Sequence, residues 1–122
     1  MRKKIMVVDD TEDLLELTRR LLESRGYEVI ALPDSSQAME VIRKEQPDLI
    51  LLDMLMPGPS GEEVCQLIRK EPSTRHIPVI ITTGQLIEPD TDAAIGPCAN
   101  GYLKKPFEPD EMIKQIEGFL PR

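Results

Sequence analysis

Three aspartates stand where apolar runs stop. Ile5-Met6-Val7-Val8 leads into Asp9-Asp10, and Leu49-Ile50-Leu51-Leu52 leads into Asp53. A carboxylate attacks phosphorus only if cations neutralise the phosphoryl oxygens. Carboxylates gathered together repel one another unless a cation or protons intervene. The chemistry within reach is therefore metal binding and phosphoryl transfer. The bland alternatives are a helix cap for Asp10 and a turn for Asp53.

The runs that must position them are short, continuous and partly β-branched, which predicts strands buried on both faces. In open parallel sheets, ligands bind outside the carboxyl ends of the strands. Between the runs the apolar period changes to helical. Leu14, Leu17, Leu21 and Leu22 predict a first helix, stopped at Arg25-Gly26. Tyr27 to Leu32 reads as a second strand, and Asp34 is expected to cap a helix with Gln37 at the capping-box position. Pro47 ends that helix. Ser60-Gly61-Glu62-Glu63 fits a capping box opening a helix with Val64, Leu67 and Ile68. Val79 to Thr82 and Gly101 to Leu103 read as further strands. Asp90 to Ile95 predicts a short helix broken by Gly96-Pro97. Pro109 suits the first turn of a last helix with Met112, Ile113 and Ile116 facing inward. Five strands alternating with five helices imply an α/β fold with a parallel sheet covered on both faces.

Composition narrows the function. With 122 residues, one domain over 1–122 is expected. The net charge is −7, with no Trp, two Tyr and two Phe, which disfavours direct nucleic-acid binding. No apolar run reaches membrane-spanning length, and the four apolar residues after Met1-Arg2-Lys3-Lys4 are too few for a signal-peptide core. Cys65 and Cys98 have no motif spacing, so two reduced thiols in a cytoplasmic protein are expected. His76, the only histidine, sits in a polar turn and reads as surface.

Four motifs in order now carry a resemblance: Val8-Asp9-Asp10, Leu51-Leu52-Asp53-Met54-Leu55-Met56-Pro57-Gly58, Ile81-Thr82-Thr83-Gly84, and Gly101-Tyr102-Leu103-Lys104-Lys105-Pro106-Phe107. The chain resembles, over essentially its whole length, the CheY-like receiver domain of two-component response regulators. That resemblance implies a flavodoxin-like (βα)5 fold with strand order 2-1-3-4-5. It implies a phosphorylation-activated switch rather than an enzyme, with Asp53 as phosphoacceptor. Mg²⁺ would be held by Asp9, Asp10, Asp53 and the Leu55 backbone carbonyl, an all-oxygen set that suits this ion. Strand alternation lets only one of Lys104 and Lys105 point at the site. The family places its lysine directly before proline, which selects Lys105 and implies a cis bond to Pro106. Family spacing, thirty residues after Asp53 and twenty-two before Lys105, selects Thr83 over Thr82 as the switch hydroxyl. Tyr102 resembles the aromatic that moves with it. The implied partners are a histidine kinase or histidine phosphotransfer protein and a downstream output domain or protein.

The chain also departs from the pattern. Ser60 stands where the family commonly has aspartate, and Gly84 where alanine is usual. Leu55 and Gln85 occupy variable positions that influence loss of the phosphoryl group, and leucine cannot orient water, so slow hydrolysis is expected. Gly96-Pro97 and Cys98 imply a short or irregular fourth helix and a weakened output surface. With the sequence ending at Arg122, a stand-alone regulator or an excised receiver module is expected. Two competing readings are a receiver-like interaction module that is not phosphorylated, and a haloacid-dehalogenase-like phosphatase. The latter needs an aspartate where Leu55 stands.

Overall fold

Side-chain alternation along the apolar runs divides the core into two layers. A computed structural model describes residues 2–84, 98–105 and 107–120. Its strands are β1 (Lys4–Val8), β2 (Glu28–Leu32), β3 (Leu49–Asp53), β4 (Val79–Thr83) and β5 (Gly101–Lys104). The helices among the described residues are α1 (Glu12–Ser24), α2 (Ala38–Glu45), α3 (Gly61–Lys70) and α4 (Pro109–Phe119). The five strands form one parallel sheet of order β2-β1-β3-β4-β5. Ile5, Val7, Leu49, Leu51, Ile80 and Leu103 pack with Leu22 of α1 and with Met112, Ile113 and Ile116 of α4. Their neighbours Met6, Val8, Ile50, Leu52, Val79 and Ile81 face the other way, against Ala38 and Ile42 of α2 and Val64, Cys65 and Ile68 of α3. Each run thus feeds both layers, which is why it has no polar alternation.

Several local expectations hold. Glu63 N–H donates to Ser60 Oγ (3.2 Å), and Ser60 N–H donates to Glu63 Oε1 (3.4 Å), completing the capping box. Gly26, at φ +92°, turns the chain after α1, a conformation glycine adopts without a Cβ penalty. Pro109 opens α4, and His76 is exposed.

Others do not. Leu17 is 64% exposed; the buried stripe of α1 runs through Thr18 and Leu22 instead, because Leu14, Leu15, Leu21 and Leu22 already set its direction. Leu67 is likewise 42% exposed. Asp34 does not cap α2. Its Oδ1 accepts from Ser36 N–H (2.9 Å) and Ser36 Oγ–H (2.6 Å), and the helix starts only at Ala38. This local side-chain turn competes with the helix for the same backbone. The expectation of two free thiols is overturned: Cys65 of α3 and Cys98 are joined as a disulfide, with Cα atoms 6.0 Å apart. Their separation of 33 residues hid a proximity that only the fold creates. The expected helix at Asp90 to Ile95, Gln85 and the Lys105-Pro106 bond involve residues outside those described.

Candidate phosphoryl and metal site

Register brings the carboxylates together. Val8 pairs with Leu52, so the next residues, Asp9 and Asp53, emerge side by side at the carboxyl ends of β1 and β3. This is also where the strand order reverses, the usual ligand crevice of an open α/β sheet. Carboxylate oxygens of Asp9, Asp10 and Asp53 lie within 4.8 Å of one another. Asp9 and Asp53 are buried, whereas Asp10 is exposed at the rim. Asp9 Oδ1 accepts from Thr11 N–H (2.9 Å), which orients that carboxylate at the start of α1.

Lys105 supplies the countercharge. Thr83 pairs with Lys104 at the end of β4 and β5, and Lys105 N–H donates to the Thr83 carbonyl (2.6 Å), which carries Lys105 past the sheet edge. Its Nζ lies 3.2 Å from Asp9 Oδ2 and 3.3 Å from Asp53 Oδ2. Burial raises the Asp53 carboxyl above the ordinary carboxylate range; Lys105 pulls it down, and repulsion from Asp9 and Asp10 pushes it up further. One ammonium against three carboxylates leaves the cluster with a formal excess of negative charge. Hard oxygen donors, two of them buried and one at an open rim, fit a small divalent cation that keeps part of its water shell.

Each remaining candidate has a definite place. Thr83 is buried at the end of β4. Thr82 is buried too, pairs with Asp53 and lines a small cleft with Asp9, Thr18 and Phe107. Tyr102 is half-buried on edge strand β5, packed on the α2/α3 layer. Leu55, in the loop that follows β3, is 63% exposed. A Cβ on Gly84 would meet no atom of the described residues within 4 Å.

Two supporting residues escaped the sequence reading. A Cβ on Gly61 would stand 2.5 Å from the Asp53 carbonyl, so the glycine lets α3 press directly on the backbone of the reactive strand end. The signal was present in Ser60-Gly61 but was spent on the cap. Ser35, buried between β2 and α2, directs its hydroxyl at the carbonyls of Pro57 (3.2 Å) and Pro59, clamping the loop that follows Leu55. Gly58, at φ +89°, passes so close that a Cβ would lie 3.0 Å from Ser35 Oγ. A lone serine in a turn carries no sequence mark of such a role.

Residues 5–117 match the family model described as response regulator receiver domain. The chain belongs to that family. As a receiver domain it is 33% identical over 122 residues to the DNA-binding response regulator MtrA of Mycolicibacterium smegmatis, covering 100% of this chain and 52% of that protein. It is 34% identical to the phosphate regulon transcriptional regulatory protein PhoB of Klebsiella pneumoniae, covering 100% of this chain and 53% of that one. The chain thus spans about half the length of these relatives. A putative response regulator from Chloroflexus aurantiacus superposes with a TM-score of 0.90 at 32% identity, with both chains covered completely. The chemotaxis protein CheY4 of Vibrio cholerae gives 0.90 at 26% identity, covering 98% of this chain and 99% of that one. These likenesses confirm the flavodoxin-like fold and the place of the receiver domain in two-component signalling. No described helix is long and apolar enough to cross a membrane.

Proposed function

We propose that Asp53 accepts a phosphoryl group from a histidine kinase or a histidine phosphotransfer protein, and that Thr83 and Tyr102 convert the modification into a changed output surface. The observation that carries this reading is the buried Asp53 carboxylate, held 3.3 Å from Lys105 Nζ and beside Asp9 and Asp10 at the strand ends. A bond forms between an Asp53 carboxylate oxygen and phosphorus as the bond from phosphorus to the donor imidazole breaks. Lys105, already poised between Asp9 and Asp53, pairs with the phosphoryl oxygens. Asp9, Asp10, Asp53 and the Leu55 carbonyl would hold Mg²⁺, which when bound supplies positive charge opposite the transferring group. Burial of Asp9 and Asp53 limits the water that competes for those charges.

Transfer replaces one carboxylate charge by roughly −1.5 to −2 and adds strong acceptor oxygens. Thr83 and Lys105, joined through backbone at the ends of β4 and β5, are the groups those oxygens attract. Tyr102, next to them on β5, passes the shift to the surface. Residues 1–122 act as one receiver domain in the cytoplasm, without turnover of an external substrate beyond its own phosphorylation and dephosphorylation. Incubation with Mg²⁺ and acetyl phosphate followed by intact-protein mass measurement tests this. A single phosphoryl adduct that Asp53→Asn abolishes is expected. No adduct in the unaltered chain would favour an unphosphorylated interaction module, and rapid turnover of phosphate esters would favour a phosphatase.

A further inference from the structure

The disulfide joins α3 to the segment leading into β5 through two cysteines that the phosphoryl site does not use. Cys65 is fully buried on α3, while Cys98 is half-buried just ahead of β5. Their Cα separation of 6.0 Å falls within the span that a disulfide bridges without backbone movement. Cys98 and Ala99 pack on the same apolar layer as Tyr102, which follows four residues after Cys98.

A second set of ties holds this segment without the disulfide. Arg69 Nε donates to the Cys98 carbonyl (2.9 Å), and Arg69 Nη2 donates to Asn100 Oδ1 (2.5 Å). Its Nη1 donates to the carbonyls of Ile77 (2.7 Å) and Arg75 (3.0 Å). Asn100 Oδ1 also accepts from Val79 N–H, and Asn100 N–H donates to the Val79 carbonyl, both at 2.8 Å. The lead-in to β5 is therefore also docked by hydrogen bonds that involve neither sulfur. What the covalent bond adds is a limit on how far it can move.

We infer that Cys65 and Cys98 form a reversible thiol–disulfide site whose oxidised state locks the lead-in to β5 onto α3 and damps movement of Tyr102. The link to signalling rests on Tyr102 acting as a switch residue; the thiol–disulfide site itself does not. The co-reactant is a small disulfide or, in the reverse direction, a small dithiol. In oxidation, the Cys98 thiolate attacks one sulfur of the small disulfide, because Cys98 is the more accessible of the pair. One small thiol leaves. The Cys65 sulfur then attacks Cys98 Sγ in the mixed disulfide and releases a second small thiol. Two electrons and two protons pass from the cysteines to the small disulfide.

The test compares the full chain treated with glutathione disulfide or with excess dithiothreitol. Alkylation and mass measurement should find no free thiol in the first and two in the second. Amide exchange in the peptide spanning Cys98 to Tyr102 should be about tenfold faster in the reduced, unphosphorylated chain. Phosphorylation with acetyl phosphate should accelerate that exchange in the reduced chain and much less in the oxidised one. Cys98→Ala, a half-buried position that accepts alanine, should match the reduced chain and ignore the oxidant. Two free thiols after oxidant treatment would overturn the inference, as would equal exchange in the two forms. A missing adduct at Asp53 would sink the phosphoacceptor reading alone, since exchange in the unphosphorylated chain still judges the lock.

Discussion

The strand-end site and the lead-in to β5 lie at opposite ends of β5 and are built on opposite principles. At the site, like charges are crowded: three carboxylates face one ammonium, and burial already strains Asp53 toward its neutral form. At the lead-in, polar groups are abundantly paired, with Arg69 alone serving four acceptors. The first region is poised to respond to an added cation, which relieves repulsion, and to a phosphoryl group, whose added negative charge and acceptor oxygens draw on Lys105. The second resists change until something is broken. A switch needs both: a place that gains from modification and a frame against which the gain does work.

The largest effect should come from breaking the frame. Arg69→Ala leaves the carbonyls of Ile77 and Cys98 and the side chain of Asn100 without their guanidinium donor, and is expected to cost about 2–3 kcal/mol in urea unfolding. Arg43→Ala, which removes only the exposed ion pair with Glu71, should leave the midpoint nearly unchanged. Equal effects would erase the distinction between a paired frame and surface decoration. Gly61→Ala comes next. Its Cβ would press on the Asp53 carbonyl, so a loss of about 1–3 kcal/mol and slower phosphorylation are expected together. Normal phosphorylation kinetics in a destabilised variant would show that α3 does not position Asp53.

Smaller effects sharpen the electrostatic half. Lys105→Met removes the cation between Asp9 and Asp53, so Mg²⁺ affinity measured by calorimetry should rise about tenfold. Unchanged affinity would mean that the crowding is already screened. The smallest expected change is in lifetime: Leu55→Asn places a polar side chain at an exposed position beside the site and should shorten the phosphorylated state severalfold. An unchanged lifetime would remove Leu55 from the control of hydrolysis.

Placement was legible in the sequence where it is local to a strand end. The apolar runs announced β1, β3 and β4, and the residues closing or following them, Asp9, Asp53 and Thr83, needed only parallel register to meet Lys105. It was not legible where two distant segments meet for reasons of packing. The Cys65–Cys98 pair, the Ser35 clamp on Pro57 and Pro59, and the close approach of Gly61 to Asp53 each depend on how α3 and the loops seat against the sheet. Local competition explains the rest. Asp34 reads as a helix cap, yet the nearer Ser36 takes its carboxylate. Leu17 fits a helical period, but the neighbouring leucine pairs outweigh it.

Locating the modified residue decides the matter most directly. The full chain is phosphorylated with Mg²⁺ and acetyl phosphate, then treated with borohydride, which reduces an acyl phosphate to the alcohol and converts that aspartate to homoserine. Peptide mass mapping should find homoserine at position 53 alone. Homoserine at Asp9 or Asp10, or none in any peptide, would contradict the assignment of Asp53 as the phosphoacceptor.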